Sequence, residues 1–316
     1  RSFQGGLEYS EKTGSISSAY VMLIPSNTIR EPRYYKWFFK SSNYIDALSS
    51  TSNLVRDGQA MRWSNFIQLP ILFPPAEEQQ RIADFLDAKC AEIDALTADI
   101  QTQIDTLEQY KRSVITETVT KGLNPDAKMK DSGIQWIGNM PAHWDVIRGK
   151  YILRYMQKPV REDDGVITCF RDGEVTLRSN RREDGFTMSD KEIGYQGIDV
   201  GDLVVHGMDG FAGSIGISNS RGKASPVLNV LDTDQCKRYI MYYLRSMAYS
   251  DVFLALATGI RVRSCDLRWN KLAELSYPVP PLDEQNAIVK HIDSVLSKAD
   301  AVIADKKAQL ATLDEY

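Results

Sequence analysis

The chain has 316 residues, enough for two domains with cores of their own, and its hydrophobic fraction of 43% is typical of a globular protein. No apolar run approaches the roughly 18 residues that a membrane helix needs, and the opening segment RSFQGGLEYS has no apolar stretch typical of a secretory signal. The four cysteines are widely separated and form no C-x-x-C pair, which favours reduced thiols in the cytoplasm and argues against a zinc site.

The net charge of −4 is unevenly distributed along the chain. Residues 76–118 carry ten acidic and four basic side chains, and residues 282–316 carry seven acidic and four basic ones, so the remainder has a net charge of +5. Phosphate repels an acidic segment but attracts a basic domain. The overall sign therefore does not exclude DNA binding by the rest of the chain.

Residues 1–75 are expected to form the C-terminal part of a mixed α/β domain. The segment Tyr34–Ser41 predicts a helix whose aromatic side chains pack against a sheet, and Trp63 is expected in the core. Candidates for DNA contact in this region are the polar or basic residues Arg1, Gln4, Lys12 and Arg56.

A long helix is predicted over residues 76–122. Pro74–Pro75 suits the entry to the helix, Glu77–Glu78 match the positive end of its dipole, and Lys121–Gly122 is typical of a helix end. Such a helix is about 70 Å long, which equals roughly 20 base pairs of duplex. A seven-residue apolar repeat predicts a coiled-coil stripe formed by Leu86, Ile93, Ile100, Leu107 and Val114, with Ile82, Leu96 and Ile104 on the same face.

Residues 123–281 predict a second mixed domain built from short strands. Val166–Phe170 and Glu174–Leu177 flank Arg171–Gly173, and Asp-Gly between two such runs indicates a β-hairpin. Arginine suits contacts with guanine edges and with phosphate. Candidates at this hairpin are Arg171, Arg178, Arg181 and Arg182.

A predicted strand, Asp202–His206, leads into the glycine-dense segment Gly207–Gly216, where the backbone is expected to approach a ligand closely. The following segment Gly216–Ser225 is not a P-loop, because five residues separate its glycines and Ala224 replaces the Ser or Thr that binds Mg²⁺. We therefore expect no nucleotide cofactor. Further candidates for DNA contact here are His206, Gly210, Arg221 and Lys223.

The last part of this domain contains a helix predicted over Tyr239–Met247, a basic stretch with Arg261 and Arg263 as candidate DNA contacts, and Trp269, expected in the core. Residues 282–316 then predict a second acidic helix. The two helices are expected to pack antiparallel, which places the domains at opposite ends. The apolar residues expected on the face of the second helix are Ile288, Ile292, Val295, Ala299, Val302, Leu310 and Leu313.

The chain contains an internal repeat. Leu72–Gln79 matches Pro278–Gln285, and Leu107–Tyr110 matches Leu313–Tyr316, both at an offset of 206 residues. The repeated unit is a mixed domain followed by a long helix. The second copy starts near Asp131, whereas the first starts at the equivalent of about Asp209, so about 78 residues of the first domain are expected to be absent.

These motifs resemble a known family. Pro-Pro-x-x-Glu-Gln at the start of each long helix, Leu-x-x-Tyr-Lys-Arg-Ser at Leu107–Ser113, and the Asp131–Gly138 segment with Pro141–Trp144 are similar to conserved regions of type I restriction–modification specificity subunits. The resemblance implies an α+β chain of two target recognition domains, the first truncated, alternating with two antiparallel helices.

The resemblance also implies partners. Each domain would read one half of a split DNA target, and the helices would bind two methyltransferase subunits, which carry S-adenosylmethionine. A motor-nuclease subunit would join for cleavage, while this chain would be non-catalytic. Because recognition domains vary within the family, the DNA-contact candidates rest on their chemistry alone.

Other interpretations stay open. A methyltransferase should show an Asn/Asp-Pro-Pro-aromatic motif, and Asn124-Pro125-Asp126 is not one. A coiled-coil scaffold without a DNA role predicts no footprint on DNA. A reader for a stand-alone methylation complex has the same sequence features as a subunit of a full restriction system.

Overall fold

The computed structural model describes residues 6–10, 12–17, 20–51, 63–181, 193–256 and 267–314. The chain divides into two compact units, one formed by Arg1–Gln101 with Thr312–Tyr316 and the other by Thr102–Ala311. The division lies inside a long helix, so each unit includes part of the predicted spacer. Within the described ranges, no helix is both long enough and apolar enough to cross a bilayer.

Within its described residues, the regular elements of the first unit are helices, so the sheet expected against Tyr34–Ser41 is not found there. These helices are α1 (Pro32–Phe38), α2 (Ser42–Ser50), α3 (Trp63–Phe66) and the first part of α4 (Ala76–Lys121). Tyr34 and Tyr35 of α1 form a small core with Ala83 of α4. The expected core position of Trp63 is wrong: 53% of the residue is exposed, and its ring stacks on that of Phe66 with 5.8 Å between centroids.

Charge pairs join α1 to α4 around this core. The Arg33 guanidinium donates to Asp84 at 2.8 Å and to Asp87 at 3.0 Å. The indole of Trp37 donates to Asp87 Oδ1 at 2.9 Å. Two of the acidic residues of α4 are thus used to attach a helix of their own unit.

The second unit is a mixed α/β structure. Its strands are β1 (Met129–Asp131), β2 (Asn139–Pro141), β3 (Asp145–Arg148), β4 (Arg154–Met156), β5 (Ile167–Cys169), β6 (Val175–Leu177), β7 (Gln196–Ile198), β8 (Leu203–His206), β9 (Ile215–Ile217), β10 (Gly222–Ala224), β11 (Leu228–Asp232) and β12 (Ser276–Val279). Its further helices are α5 (Gly149–Ile152), α6 (Lys237–Tyr249), α7 (Val252–Ala255), α8 (Trp269–Leu272) and α9 (Leu282–Leu313). An antiparallel sheet has the order β4-β11-β8-β9, and the pairs β1-β2, β3-β12, β5-β6 and β7-β10 surround it.

Helix α6 supplies the centre of the core of this unit. Tyr239 and Tyr243 are buried there with Trp144 and Tyr277. The Tyr239 hydroxyl lies 3.0 Å from the carbonyl oxygen of Val119 at the end of α4 and 3.0 Å from that of Pro278 in β12. Burial raises the pKa of Tyr239 well above its usual value. The neutral phenol therefore ties α6 to both a helix and a strand.

The part of α4 after residue 101 runs against α9 in the second unit. Lys111 donates to Asp300 at 2.6 Å, and Ile115 and Val119 share a core with Ile288 and Ile292. Later residues of α4 thus meet earlier residues of α9, as antiparallel packing requires.

The buried face of α9 agrees with the predicted one at Ile288, Ile292 and Ala299 and differs from it at Val302. Val302 is 45% exposed, whereas Ile303 is buried, and Leu96 of the predicted α4 stripe is also 46% exposed. Ile303 follows the buried Ala299 by four residues, an interval that keeps two side chains on one face of a helix, so Ile303 takes the place expected for Val302.

Closely approaching glycines pack the β5–β6 hairpin onto β9 and onto the loop that joins β8 to β9. A Cβ on Gly216 would overlap the carbonyl oxygen of Gly173, and one on Gly213 would lie 2.7 Å from the carbonyl oxygen of Arg171. Gly213 also has a φ of 97°, a conformation that favours glycine. The close backbone approach predicted for this segment is therefore made to the hairpin of the same unit.

We predict that Gly216→Ala destabilises the second unit, because its methyl group would displace the hairpin backbone. The expected loss is about 1–3 kcal/mol in the free energy of unfolding, measured by denaturant titration of the purified chain. Gly14→Ala is the matched control, since a Cβ there meets open space. Equal stabilities of the two variants would contradict this packing.

Candidate nucleic-acid interface

The β5–β6 hairpin presents its turn to solvent. The strands pair antiparallel with Cys169 opposite Val175, and the Gly173 amide donates to the Phe170 carbonyl oxygen at 2.9 Å. A φ of 89° at Gly173 closes the turn. The hairpin predicted from Asp-Gly is confirmed, and Arg171 and Asp172 lie at its exposed tip.

Two of the candidate arginines lie at this tip, each beside a carboxylate. Arg171, whose side chain is 62% exposed, donates to Asp209 at 3.1 Å. Arg181 donates to Asp172 at 2.7 Å, and its guanidinium lies 4.2 Å from the centre of the Phe170 ring. These partners orient both guanidinium groups while leaving them accessible to a ligand.

The tip is supported from beneath by Arg245 of α6. Its guanidinium donates to the carbonyl oxygen of Asp172 at 2.7 Å and to the Tyr249 hydroxyl at 2.8 Å. A Cβ on Gly173 would overlap this guanidinium. Arg245 was not a sequence candidate, because nothing in a helical pattern indicates that a side chain reaches a hairpin 73 residues away in sequence.

The loop after β8 lies beside the tip. His206 is the last residue of β8, and Gly210 is a buried member of the short 3-10 turn Gly210–Ala212. Gly210 therefore reaches its surroundings through its backbone. The structure brings His206 and Gly210 together with Arg171, as Asp209 follows His206 in the same loop and pairs with Arg171.

Arg221 occupies a different environment. Its guanidinium donates twice to Asp164, at 2.9 and 2.7 Å, and once to Asp199 at 2.6 Å. Lys158 continues the network to Asp199 and Asp202. Lys158 and Arg221 together lower the pKa of Asp199 to about 2. The donors of Arg221 are thus already engaged by carboxylates, and its predicted contact with DNA would have to compete with them.

The remaining candidates are distributed over several surfaces. Arg178 donates to Thr168 at 3.3 Å, Lys223 lies in β10 opposite Gly197, and Lys12 is exposed in the first unit. Arg1, Gln4, Arg56, Arg182, Arg261 and Arg263 lie outside the described residues.

One exposed arginine near the site was missed in the sequence. Arg268 follows Leu267, whose amide donates to the Gly207 carbonyl oxygen at 2.8 Å. The Cγ of Arg268 lies 3.8 Å from where a Cβ on Gly207 would stand. The next residue, Trp269, corresponds to Trp63 in the internal repeat. It is half-buried and stacks on Tyr155 with 6.0 Å between ring centroids. The Arg-Trp pair therefore combines one packed and one exposed side chain, and the exposed one is next to the glycine loop.

The chain is similar in sequence to restriction–modification proteins. A sequence model of the type I restriction modification DNA specificity domain matches residues 5–106. The putative type I restriction enzyme MjaX specificity subunit of Methanocaldococcus jannaschii is 23% identical over 289 residues, which are 87% of this chain and 64% of that protein. The type I restriction enzyme EcoBI specificity subunit of Escherichia coli is 22% identical over 306 residues, or 87% and 61% of the two chains.

A solved structure has a similar fold. It comes from work on the structural basis underlying complex assembly and conformational transition of the type I R-M system. The match has a TM-score of 0.60 and 17% sequence identity, and it covers 90% of this chain and 68% of that one. The chain spans about three fifths of the length of the two curated relatives named above.

The α+β fold of the chain is thus similar to that of a solved type I R-M structure, and part of the chain matches the type I restriction modification DNA specificity domain. These findings also confirm the more particular resemblance predicted from the repeated motifs, which is to the specificity subunits of these systems. The relatives are named for specificity, the DNA-recognition role of the family. They do not support the interpretation of the chain as a methyltransferase or nuclease.

The Arg221 network predicts a stability defect. Arg221→Met should lower the free energy of unfolding by about 1–3 kcal/mol, because the covered Asp164 carboxylate loses two charge-assisted hydrogen bonds. Arg221→Lys should recover only part of this, since an ammonium group cannot pair bidentately. Arg148→Ala, at an exposed pair with Glu274, is the control.

The same network predicts a dependence on pH. The pKa values of Asp164 and Asp199 are lowered by their cationic partners, so their contribution to stability is present above the usual carboxylate pKa of 3.8 and is lost as the pH falls. The stability difference between wild type and Arg221→Met should therefore shrink toward about pH 2. A variant with unchanged stability and weaker DNA binding would instead support the DNA contact predicted for Arg221.

Proposed function

We propose that this chain is the sequence-reading, non-catalytic subunit of a type I restriction–modification complex and that its two domains read the halves of a bipartite DNA target. The observation that carries the proposal is the hairpin tip, where Arg171 and Arg181 are exposed and held in fixed directions by Asp209, Asp172 and Phe170. Guanidinium groups held in this way are suited to bidentate contacts with guanine and to contacts with phosphate.

The carboxylates of the tip give a physical reason for selectivity. Asp172, Glu174 and Asp209 offset the positive charge of Arg171 and Arg181 and so weaken attraction to any phosphate backbone. An arginine that binds DNA gives up hydrogen bonds to its carboxylate partner. A guanine edge, which accepts two hydrogen bonds, compensates for this loss better than a single phosphate contact does. In this proposal, the tip distinguishes a target from bulk DNA because the target accepts hydrogen bonds from more of the guanidinium N–H groups of Arg171 and Arg181.

The internal repeat is supported by a shared detail of the two long helices. Gln79 donates from Nε2 to the Pro74 carbonyl oxygen at 2.7 Å, and Gln285 donates to that of Pro280 at 2.8 Å. The partners are related by the same offset of 206 residues as the sequence motif. Two copies of the unit would give one reader for each half of the DNA target.

The helices are proposed to set the distance between the two readers. Helix α4 has 46 residues, which corresponds to about 70 Å or roughly 20 base pairs. The Lys111–Asp300 pair supports an antiparallel arrangement with α9. The apolar residues proposed to hold the two helices together in a coiled coil are Leu86, Ile93, Ile100, Leu107, Ile292, Val295 and Leu313, with Ile303 in place of Val302.

The chemistry of the complex would belong to the partners. Two methyltransferase subunits are proposed to dock on the helices and to bind S-adenosylmethionine, and a motor-nuclease subunit would join them for cleavage. A stand-alone methylation complex would use this chain in the same way without the motor. The presence or absence of cleavage by the assembled complex distinguishes these two settings.

The proposal is tested by selecting bound sequences from random-sequence duplex DNA with the chain assembled with its methyltransferase subunits. We expect two short half-sites at a fixed spacing. Arg171→Ala and Arg181→Ala should each weaken binding by about 1–3 kcal/mol and relax sequence preference in one half-site only. Arg148→Ala, at the exposed pair with Glu274 outside the hairpin, should change neither.

Three results would contradict the proposal. Recovery of no preferred sequence, with no salt-dependent binding, would favour a scaffold without a DNA role. Equal loss of preference in both half-sites would show that the hairpin does not read one half alone. Methylation of DNA by the chain without partners would establish an enzyme instead.

A further inference from the structure

Two backbone amides converge on one imidazole nitrogen beside the hairpin tip. His206 Nδ1 accepts a hydrogen bond from the amide of Asp209 at 2.9 Å and another from that of Met208 at 3.2 Å. An acceptor at Nδ1 cannot carry a proton. The arrangement therefore requires a neutral ring with its proton on Nε2.

The surroundings of His206 favour this neutral form. The ring lies at the end of β8, opposite Leu228 of β11, where burial lowers its pKa below the usual 6.5. Arg171 lowers the pKa further, and Asp209 opposes the shift. At neutral pH the acceptor is thus available to both amides.

The residue held by this acceptor is the one that orients Arg171. The Asp209 amide is bonded to His206, while its carboxylate accepts from Arg171 Nη2 at 3.1 Å. The carbonyl oxygen of Asp209 also accepts from the Ala212 amide at 2.9 Å and begins the turn that follows. A displacement of the Asp209 backbone would therefore move the carboxylate away from the guanidinium.

We propose that His206 is a positioning residue: it fixes Asp209, and through Asp209 the direction in which Arg171 meets DNA. This inference rests on the proposed function, because it assigns His206 a role within the same reading site. The sequence suggested direct contact between His206 and DNA, whereas in the structure its Nδ1 accepts hydrogen bonds from the Met208 and Asp209 amides.

A double-mutant cycle separates this role from a general contribution to stability. His206→Leu removes the acceptor, and His206→Asn retains one, because the Asn Oδ1 is bonded to Cγ as Nδ1 is in His. Arg171→Ala and the double variant His206→Leu/Arg171→Ala complete the cycle. Affinity is measured for the selected duplex and for a scrambled duplex with the chain in its methyltransferase complex.

We expect His206→Leu to weaken binding to the selected duplex about tenfold, corresponding to the loss of roughly two neutral hydrogen bonds. Binding to the scrambled duplex should change little, and His206→Asn should stay close to wild type. In the Arg171→Ala background, His206→Leu should have almost no further effect. Independent, multiplicative losses from the two substitutions, or an unchanged affinity of His206→Leu, would overturn the proposal.

A second measurement needs neither DNA nor a folded variant. Nitrogen NMR of the wild-type chain reports which imidazole nitrogen carries the proton. An Nε2–H tautomer is expected for His206 at neutral pH, and an Nδ1–H tautomer or a charged ring would overturn the positioning role. If the wild-type complex selects no DNA sequence, the proposed function fails, while the tautomer still tests the hydrogen bonds of His206.

Discussion

The close approach of two backbones determines the geometry of the candidate reading site. The β5–β6 hairpin can rest on β9 because Gly173 and Gly216 carry no Cβ where their backbones meet. In this position of the hairpin, Arg171 donates to the Asp209 carboxylate, and Arg245 of α6 donates to the Asp172 carbonyl oxygen in the turn. A side chain at Gly216 would separate the two elements and with them every charge pair that depends on their spacing.

Charge in the second unit is arranged in two different ways. In the network of Arg221 and Lys158, the Asp164 and Asp202 carboxylates are buried while Asp199 is partly exposed, and close, multiple hydrogen bonds fasten strands and loops to one another. The pairs of Arg171 and Arg181 are exposed, so solvent screens them and a ligand can replace either partner. The same residue type therefore stabilises the fold at one place and remains exchangeable at another.

The sequence predicts regular elements and the class of protein better than it predicts the surroundings of individual side chains. Asp-Gly identifies the hairpin because the turn is local, and the long helix spans Ala76–Lys121, close to the predicted 76–122. The carboxylate partner Asp164 of Arg221 and the hairpin contact of Arg245 were not predicted, because they lie 57 and 73 residues away in sequence. Val302 and Trp63 show that apolar character alone does not fix which residue is covered.

Gln79 and Gln285 occupy the same position in the repeated motif but make different sets of hydrogen bonds. Both copies satisfy a proline carbonyl at the start of a long helix, which is a local interaction that the motif itself encodes. Gln285 additionally accepts from the Cys236 amide at 2.9 Å and so joins α9 to the start of α6, the helix at the centre of the core. Gln79 is equally buried, yet its Oε1 accepts no hydrogen bond from the residues that the structure describes. Because a buried acceptor without a donor is costly, the second copy uses the shared side chain more completely. The motif therefore encodes the entry to the helix, while the attachment of the domain to that helix depends on residues outside the motif.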